Sequence, residues 1–447
     1  MNSRSQPRLS AALQRFNELY GDGEAHVLRA PARINILGEH VDYVSYLPTA
    51  SLPFGSREHE MLMLFRASPD NDGGQVRGAS MLEKFPPFSF ALDGDAIEDH
   101  TKQTWESFVF NRALPAPHWS NYVKGAVSFA CWKYGASVKR GFHFLIESSI
   151  PPRSGASSSS ALVTLAGAAI RLANGIEYEP AELARDSSQA EWFMGTRGGA
   201  LDHTAICLAR RGHAVKIAHS DNRTELVPLP EQGFRWITFF SHEADKGRGV
   251  MLEYNERAAV SRLLIPAMLA NNSIDDLPAA ISLNDVARLY PQAFSECARA
   301  FPVLASERRE RPLKLRDRAL HHTGEVARVK AAVEILAGAT RQPDAAMREL
   351  GGLINASHAS LRDLYEVSTT EVESLIEIIT ADPLVYGARL MGGGFGGNVL
   401  ALTTDENAQS LIDRVQNEFY GPRGRDGMSE GSVMVSTPGD GLAGLDL

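Results

Sequence analysis

The sequence has few cysteines, no long apolar run and no excess of positive charge. The three cysteines, Cys131, Cys207 and Cys297, are far apart and odd in number, which argues against a disulfide framework or a zinc site and favours a reducing compartment. No apolar run is long enough to cross a membrane, and the first residues lack a signal-peptide core, so we expect a cytoplasmic protein. A net charge of -9 argues against a nucleic-acid or anionic-membrane partner.

The remaining composition is ordinary for a globular protein. Hydrophobic residues make up 44% and charged residues 22% of 447 positions, enough for two or three domains. Strand and helix patterns mix up to residue 240, whereas the pattern from 249 to about 381 is mainly helical. We predict an N-terminal domain over residues 1–225 and a C-terminal domain over 226–447.

Residues 142–174 form the most informative stretch of the chain. The alternation of Phe142, Phe144 and Ile146 predicts a half-buried strand that ends at a Pro-Pro pair, and apolar residues from about Ser159 onward return at helical spacing. Between them lies a small, hydroxyl-rich loop over 153–160. A loop that opens into a helix presents unpaired N–H groups and the positive end of the helix dipole, so it favours a phosphate.

The side chains of this loop suit a nucleotide phosphate. Gly155 and Ala156 allow close approach of the backbone, and the serines from Ser157 to Ser160 add donors and an oxygen for Mg²⁺. No lysine follows the glycine, so the loop is not a P-loop. A serine-rich helix cap and linker is the alternative interpretation.

A second polar cluster lies near the beginning of the chain. The segment PARINILGEHVDY carries Arg33, Asn35, Glu39, His40 and Asp42 beside apolar residues. Donors and acceptors held in fixed directions suit the recognition of sugar hydroxyls. The alternative is a solvated loop with local ion pairs.

One aspartate follows a glycine-rich turn. Asp202 ends the segment GTRGGALD, where a ligand can approach the backbone closely, and is our candidate general base. Capping of the helix that follows is the commoner role of such an aspartate.

Three further patterns are predicted to be structural. Gly392, Gly394 and Gly397 match the G-x-G-x-x-G pattern of dinucleotide-binding folds. A strand-like segment follows them, whereas that fold requires a helix at this place. We therefore predict two strands joined by a glycine-rich turn. The histidines at 321, 322 and 358 lack metal-site spacing and are predicted to be exposed or hydrogen-bonded. Residues 68–80 are predicted to join a hairpin.

Together these stretches resemble the galactokinase branch of the GHMP small-molecule kinases. The similarity covers nearly the whole length, and its ordered motifs are more specific than any one of them alone. The matching segments are RAPARINILGEHVDY, IPPRSGASSSSAL, GALD, LEYNER, HASLRDLYEVSTTEVESL and LMGGGFGGNVLAL.

The resemblance implies a fold, a reaction and a set of site residues. The fold would be α+β, with two domains of mixed sheets and helices and the active-site cleft between them. The reaction would be transfer of the γ-phosphoryl group of ATP to the C1 hydroxyl of a monosaccharide, with galactose the first candidate. By this resemblance Asp202 would act as base with Arg33 as its electrostatic partner. The other implied contacts are Glu39, His40, Asp42 and Tyr254 for the sugar, Gly155, Ala156, Ser157, Ser158 and Ser159 for ATP, and Ser159 and Glu191 for Mg²⁺.

Some residues depart from the family pattern and leave the substrate open. Val44, Ser45 and Tyr46 replace an Asn-Gly-Gly-like stretch, Arg197 lies in a changed turn before Asp202, and His203 replaces a usual glutamine. N-acetylgalactosamine, galacturonate and arabinose are therefore alternative sugars. A non-catalytic sensor of sugar and ATP is an alternative function, and a nicotinamide oxidoreductase a weaker one.

Overall fold

A computed structural model describes residues 5–92, 103–151, 155–195, 198–230, 232–243, 248–270, 273–339, 342–424 and 432–445. Arg197, which departs from the family pattern in the turn before Asp202, lies outside these residues. Within these ranges, every helix is too short or too polar to cross a bilayer.

The strands occur mainly in the first half of the chain and near residues 385–445. In chain order they are β1 His26–Asn35, β2 Ala50–Ser51, β3 Pro53–Ala67, β4 Gln75–Ser80, β5 Phe88–Ala91, β6 Phe142–Ser148, β7 His213–Ala218, β8 Thr224–Pro228, β9 Phe234–Phe240, β10 Val385–Met391, β11 Asn398–Thr404, β12 Val433–Ser436, β13 Pro438–Gly439 and β14 Ala443–Leu445.

The helices fill the intervals, and between β9 and β10 they follow one another without a long strand. They are α1 Ser5–Tyr20, α2 Trp105–Asn111, α3 Ser120–Tyr134, α4 Ser158–Ala173, α5 Pro180–Glu191, α6 Leu201–Leu208, α7 Arg248–Ala259, α8 Ile265–Leu269, α9 Leu283–Leu289, α10 Pro291–Ala300, α11 Pro302–Glu307, α12 Leu315–Gly338, α13 Pro343–Asp363, α14 Thr370–Thr380 and α15 Ala408–Val415. A π-helical turn, Val260–Leu264, connects α7 to α8.

The first sheet has the strand order β14-β1-β3-β6-β4-β5, with β13 also pairing with β3. Strand β6 lies between β3, which is antiparallel to it, and β4, which is parallel to it. The prediction that residues 68–80 are a turn that joins a hairpin is therefore wrong, because residues 75–80 form β4 and β6 lies between β3 and β4. A parallel pair with a distant strand leaves no local sequence signal.

The second sheet has the order β10-β11-β9-β12 and is antiparallel throughout. Strands β10 and β11 are the two strands predicted on either side of the glycine-rich turn, so that prediction is confirmed. A third, small sheet has the order β2-β7-β8, and its strand β7 contacts β3 of the first sheet.

A large apolar core connects the first and second sheets. It includes Phe54 and Ile34 from the first sheet together with Trp236 and Leu400 from the second, and the rings of Phe54 and Trp236 are 5.8 Å apart. Separate clusters fill the space under α14 and α15 and within the helical region from α7 to α12. Mixed sheets and helices of this kind confirm the predicted α+β class.

Strand β6, a loop and helix α4 occur in the order predicted for residues 142–174. Both Phe142 and Phe144 are fully buried, and α4 buries nearly its whole length because it lies between the first sheet and helices α3 and α5. This packing fixes the position of the loop before α4 relative to the sheet.

Candidate active site

The serine turn, defined as residues 155–160, begins α4 with an unusual backbone. Gly155 has φ +84°, and Ser157, the residue before the helix, has φ 64°. Such values are costly for a residue with a side chain. The Oγ of Ser157 is buried and has no hydrogen-bond partner among the described residues. The turn therefore presents an unused donor and the first N–H groups of a helix, a combination that suits an anion.

A carboxylate lies beside the first turn of α4. Ser160 Oγ donates to Glu191 Oε2 at 2.9 Å, Ser159 also donates to that carboxylate, and His203 Nε2 is 3.0 Å from Glu191 Oε2. Burial favours the protonated acid, but His203 and the two serines outweigh it and hold the pKa of Glu191 below its usual value. The predicted pair of Ser159 and Glu191 is thus in contact.

Asp202 lies in the first turn of α6 and forms an ion pair with Arg33 from β1. Arg33 Nε and Nη2 both approach Asp202 Oδ1, at 2.7 and 2.6 Å. The other oxygen, Oδ2, is 3.5 Å from Ser160 Oγ. The aspartate side chain is 28% exposed, whereas that of Arg33 is 5% exposed. One oxygen is therefore held by the arginine while the carboxylate keeps access to solvent next to the serine turn.

Arg33 is held in this position by the surrounding fold. Its backbone N–H donates to the carbonyl of Ala156 at 3.3 Å, which connects β1 to the serine turn. Burial disfavours its charge, but Asp202, Glu39 and Asp42 more than compensate and raise the pKa of Arg33 above its usual value. The guanidinium is therefore charged.

Asp42 and Tyr254 lie against the turn that precedes Asp202. A Cβ added to Gly199 would be 2.3 Å from the carbonyl oxygen of Asp42, and one added to Gly198 would be 3.6 Å from the hydroxyl of Tyr254. Only a glycine fits at position 199 without displacing backbone. Burial, followed by the charges of Asp202 and Glu39, raises the pKa of Asp42 to about 6.

Glu39 is buried in an ion pair with an arginine from β10. Arg389 Nη2 donates to Glu39 Oε2 at 2.7 Å, and that oxygen also accepts from Asn35 Nδ2 at 3.1 Å and from the N–H of Gly392 at 3.0 Å. Burial opposes ionisation, but Arg389 and Arg33 overcome it and lower the pKa of Glu39 to about 2. Glu39 therefore joins the sugar signature, defined as residues 31–43, to the second sheet.

The glycine turn, residues 392–397, touches the serine turn through backbone. A Cβ added to Gly392 would be 3.1 Å from the carbonyl oxygen of Gly155, and Gly392 has φ +93°. A side chain at this position would separate the two turns and strain the backbone. Both motifs thus belong to one site.

His40 has left-handed backbone geometry, φ 58°, and is buried. Its Nδ1 is 3.0 Å from Tyr43 Oη, and its ring lies near those of Tyr365 and Tyr254. Burial lowers the pKa of His40 to about 3, so the ring is neutral.

Two charged residues that support the site were not predicted from the sequence. Arg389 is fully buried, and Glu325 on α12 accepts from the N–H groups of Gly38 and Glu39 at 2.7 and 3.2 Å. A charged residue inside an otherwise apolar strand, as in YGARLM, is a signal that would have found Arg389. Glu325 lies on a helix with many charges and offers no comparable signal.

Family models match three parts of the chain. The model described as the galactokinase galactose-binding signature matches residues 14–50, the GHMP kinases N terminal domain matches 121–210, and the GHMP kinases C terminal domain matches 337–421. These segments contain the sugar signature, the serine turn with Asp202, and the glycine turn, respectively.

Curated relatives align over most of the chain. It is 27% identical to galactokinase of Chloroflexus aurantiacus over 446 residues, covering 97% of each protein, and 29% identical to galactokinase of Lactococcus lactis subsp. cremoris, covering 92% of this chain and 91% of that protein. Human galactokinase is 28% identical, and the alignment covers 92% of this chain and 92% of that protein.

Solved structures show the same architecture. Lactococcus lactis galactokinase, crystallised with galactose, superposes with a TM-score of 0.74 at 26% identity and covers 98% of this chain and 100% of its own. Methanococcus jannaschii mevalonate kinase shares the fold, with a TM-score of 0.55 at 14% identity over 93% of this chain and 99% of its own. In the three matched domains and in this structural likeness, the chain is similar to the galactokinase branch of the GHMP kinases.

Proposed function

We propose that this protein transfers the γ-phosphoryl group of ATP to the C1 hydroxyl of a monosaccharide, with galactose the first candidate substrate. The observation that carries the proposal is one set of contacts. Ser160 Oγ lies 2.9 Å from Glu191 and 3.5 Å from Asp202, so an anion-binding turn and an arginine-held carboxylate are side by side. A phosphoryl donor and its acceptor need such neighbouring sites.

The chemical step needs a proton acceptor and positive charge near the transferring group. The sugar hydroxyl would lose its proton to Asp202 Oδ2 as its oxygen bonds to the γ-phosphorus, while the bond to the bridging β,γ-oxygen breaks and ADP leaves with that electron pair. Arg33 holds Oδ1 through two N–H groups, which keeps the carboxylate oriented. Its positive charge also offsets negative charge that grows during transfer.

The residues beside the serine turn suit Mg²⁺. The ion prefers oxygen ligands and retains several waters, and here the hydroxyls of Ser159 and Ser160 meet the ionised carboxylate of Glu191. Ser159 and Glu191 would hold it. When bound, Mg²⁺ neutralises charge on the nucleotide phosphates.

The serine turn would bind the phosphates of ATP. Gly155 and Ala156 supply backbone, and Ser157, Ser158 and Ser159 supply hydroxyls next to the N-terminus of α4. The buried Oγ of Ser157 lacks a partner within the described ranges, which supports a role in binding.

The sugar would lie among Glu39, His40, Asp42 and Tyr254. The supporting observation is that the rings of His40 and Tyr254 are 6.0 Å apart, and that Asp42 and Tyr254 both lie against the glycines that precede Asp202. Galactose is the first candidate because the aligned relatives are named galactokinases. N-acetylgalactosamine, galacturonate and arabinose stay alternatives, since residues 44–46 and Arg197 depart from the family pattern.

We also propose that the chain divides into domains at residues 1–225 and 226–447. The two GHMP domain models fall on either side of this boundary, which supports it. Strands β13 and β14 nevertheless pair with β3 and β1, so the last residues would return to the first domain.

An assay of ADP release over a panel of sugars tests the activity, with Asp202→Asn as the decisive variant. We expect turnover with galactose or one of its relatives, and a loss of about 10²- to 10⁴-fold in kcat for the variant, because the proton acceptor is removed. The dissociation constant for ATP should change little, since the serine turn is intact.

Asp221→Asn is a matched control, because Asp221 pairs with Arg223 at 2.6 Å on the surface. It should keep wild-type kcat. Near-native kcat in Asp202→Asn would contradict the assignment of the base. Binding of ATP and galactose without ADP release in the wild-type protein would instead favour the sensor function.

A further inference from the structure

A chain of hydrogen bonds extends from the edge of the protein to His40. It passes through side chains from four separate parts of the sequence, and all but the first are buried. In order, the members are Tyr46, His322 on α12, Ser261 in the π-helical turn, Tyr365 after α13, Tyr43 and His40.

Each consecutive pair is within hydrogen-bonding distance. Tyr46 Oη is 2.6 Å from His322 Nδ1, and His322 Nε2 is 3.2 Å from Ser261 Oγ. Ser261 Oγ is 3.1 Å from Tyr365 Oη, which is 2.9 Å from Tyr43 Oη. Tyr43 Oη is 3.0 Å from His40 Nδ1.

Both histidines are neutral, so each has one N–H donor and one acceptor nitrogen. Burial lowers the pKa of His40 to about 3 and that of His322 well below its usual value. Each hydroxyl inside the chain also has a single proton to donate. A hydroxyl can also accept two hydrogen bonds, but among the described residues Ser261, Tyr365 and Tyr43 have no acceptor outside this chain. If each of these hydroxyls donates its proton to a neighbour in the chain, all donors point the same way, and there are two possible directions.

Chemistry at the two ends favours one direction. A phenol O–H is the more acidic donor and a neutral imidazole nitrogen the more basic acceptor, so O–H to nitrogen is the stronger arrangement. Donation from Tyr46 to His322 and from Tyr43 to His40 satisfies this preference at both ends. The distances at His322 agree, since 2.6 Å is typical of an O–H donor and 3.2 Å of an N–H donor.

This direction determines what His40 offers to a ligand. With Nδ1 accepting from Tyr43, the proton of His40 must be on Nε2. That atom is buried and lacks a partner in the part of the chain that the structure describes. The ring centroid is 6.0 Å from that of Tyr254, whose hydroxyl lies against Gly198 in the turn before Asp202.

We propose that Tyr46 and His322 are positioning residues that fix His40 as its Nε2–H tautomer, so that His40 donates to a hydroxyl oxygen of the sugar and helps to select it. The inference rests on the proposed function, because it takes His40 to be a sugar contact. Tyr46 belongs to the segment that departs from the family pattern, so the chain of hydrogen bonds would be a specificity feature of this protein.

Selective ¹⁵N labelling of histidine tests the tautomers in the full-length protein without substrate. Imidazole ¹⁵N resonances distinguish N–H from acceptor nitrogens, and the variants His40→Asn and His322→Asn assign the signals. We expect both histidines to have the proton on Nε2. Tyr46→Phe removes the O–H donor to His322 Nδ1, and with it the preference for the Nε2–H tautomer at that end of the chain. The ¹⁵N shifts of His322 and His40 should therefore move together toward the other tautomer.

Tyr20→Phe is the matched control, since Tyr20 Oη donates to the carbonyl of Phe144 at 3.0 Å away from the site. It should leave both sets of signals unchanged. In kinetics, Tyr46→Phe should raise the sugar KM about two- to fivefold, with kcat and the ATP KM unchanged, because a weakened hydrogen bond to sugar affects binding alone.

A proton on Nδ1 of His40 in the wild-type protein would overturn the inference. So would a Tyr46→Phe variant in which His322 shifts and His40 does not. Neither measurement needs turnover, so a wild-type protein that phosphorylates no sugar would refute the proposed function while the tautomer result stands separately.

Discussion

The proposed phosphate side and the proposed sugar side of the candidate site differ in how far apart their residues lie in the sequence. On the phosphate side, the serine turn contacts Glu191, only 31 residues from Ser160. On the sugar side, Glu39 pairs with Arg389 across 350 residues, and Gly38 donates to Glu325 across 287. The first side relies on helix-end backbone and small residues, whereas the second relies on buried charges that only the complete fold brings together. Substitutions on the sugar side should therefore lower mainly the stability of the fold, whereas substitutions on the phosphate side should lower mainly the activity.

The largest effect is expected on the sugar side, from Arg389→Met. Removing the arginine leaves Glu39 buried without its ionic partner, so the free energy of unfolding should fall by about 3–5 kcal/mol. Urea denaturation at pH 7 measures this loss. Addition of Glu39→Gln should recover much of it, because the unpaired charge is then gone. Equal destabilisation in the single and double variants would show that the lost packing of the arginine side chain, and not the unpaired charge of Glu39, lowers the free energy of unfolding.

A smaller and more selective effect is expected on the phosphate side, from Ser159→Ala. The variant loses one hydroxyl beside Glu191, and the Mg²⁺ concentration that gives half-maximal activity should rise about tenfold. The sugar KM and the melting temperature should not change, since no buried charge is exposed. Activity measured across a Mg²⁺ titration checks this. A parallel rise in the sugar KM would mean that the two sides are not separable.

The smallest effect concerns Asp42, whose raised pKa contrasts with the lowered pKa of Glu39 three positions before it. Burial disfavours the ionised form of Asp42 and raises its pKa in the folded protein to about 6. Above that pH the buried charge lowers the free energy of unfolding. This loss of stability disappears as the pH falls toward 4. Asp42→Asn should therefore stabilise the fold by about 1–2 kcal/mol at pH 7.5 and by nothing at pH 4.

Glu39 supplies the opposite control. Its lowered pKa stabilises the fold above about pH 4.5, and this contribution is lost as the pH falls toward 2. Glu39→Gln should accordingly destabilise most at neutral pH. Thermal melts of both variants over a pH series measure the two slopes, and slopes of the same sign would contradict the contrast between the two carboxylates.

The same contrast explains what the sequence could predict. The strand, serine turn and helix of residues 142–173 were predictable because apolar spacing and proline act over a few residues. The juxtaposition of Arg33, Asp202 and the serine turn required the family resemblance, since no local pattern connects positions 33 and 202. Arg389 and Glu325 were missed because their role depends on contacts made only after folding.

One local prediction needed correction for the same reason, and a second was confirmed without its partners being foreseen. Strand β4 pairs with β6 in parallel, so residues 68–80 do not join the expected hairpin. The prediction that His321 and His322 are exposed or hydrogen-bonded is confirmed in its second form, because both are buried, with His321 Nδ1 2.8 Å from Ser360 Oγ and His322 Nδ1 2.6 Å from Tyr46 Oη. Periodicity reports which face of a helix is apolar, but not which polar groups a neighbouring helix offers.

Strands β13 and β14 have a consequence for synthesis of the chain. Residues 443–445 cover the outer edge of β1, and residues 438–439 pair with β3. While a ribosome is still translating residues before 438, the first strand keeps an unpaired edge, which is a template for aggregation. A nascent chain stalled at that point should depend on chaperones, whereas in a fully translated chain β14 pairs with β1 and covers this edge.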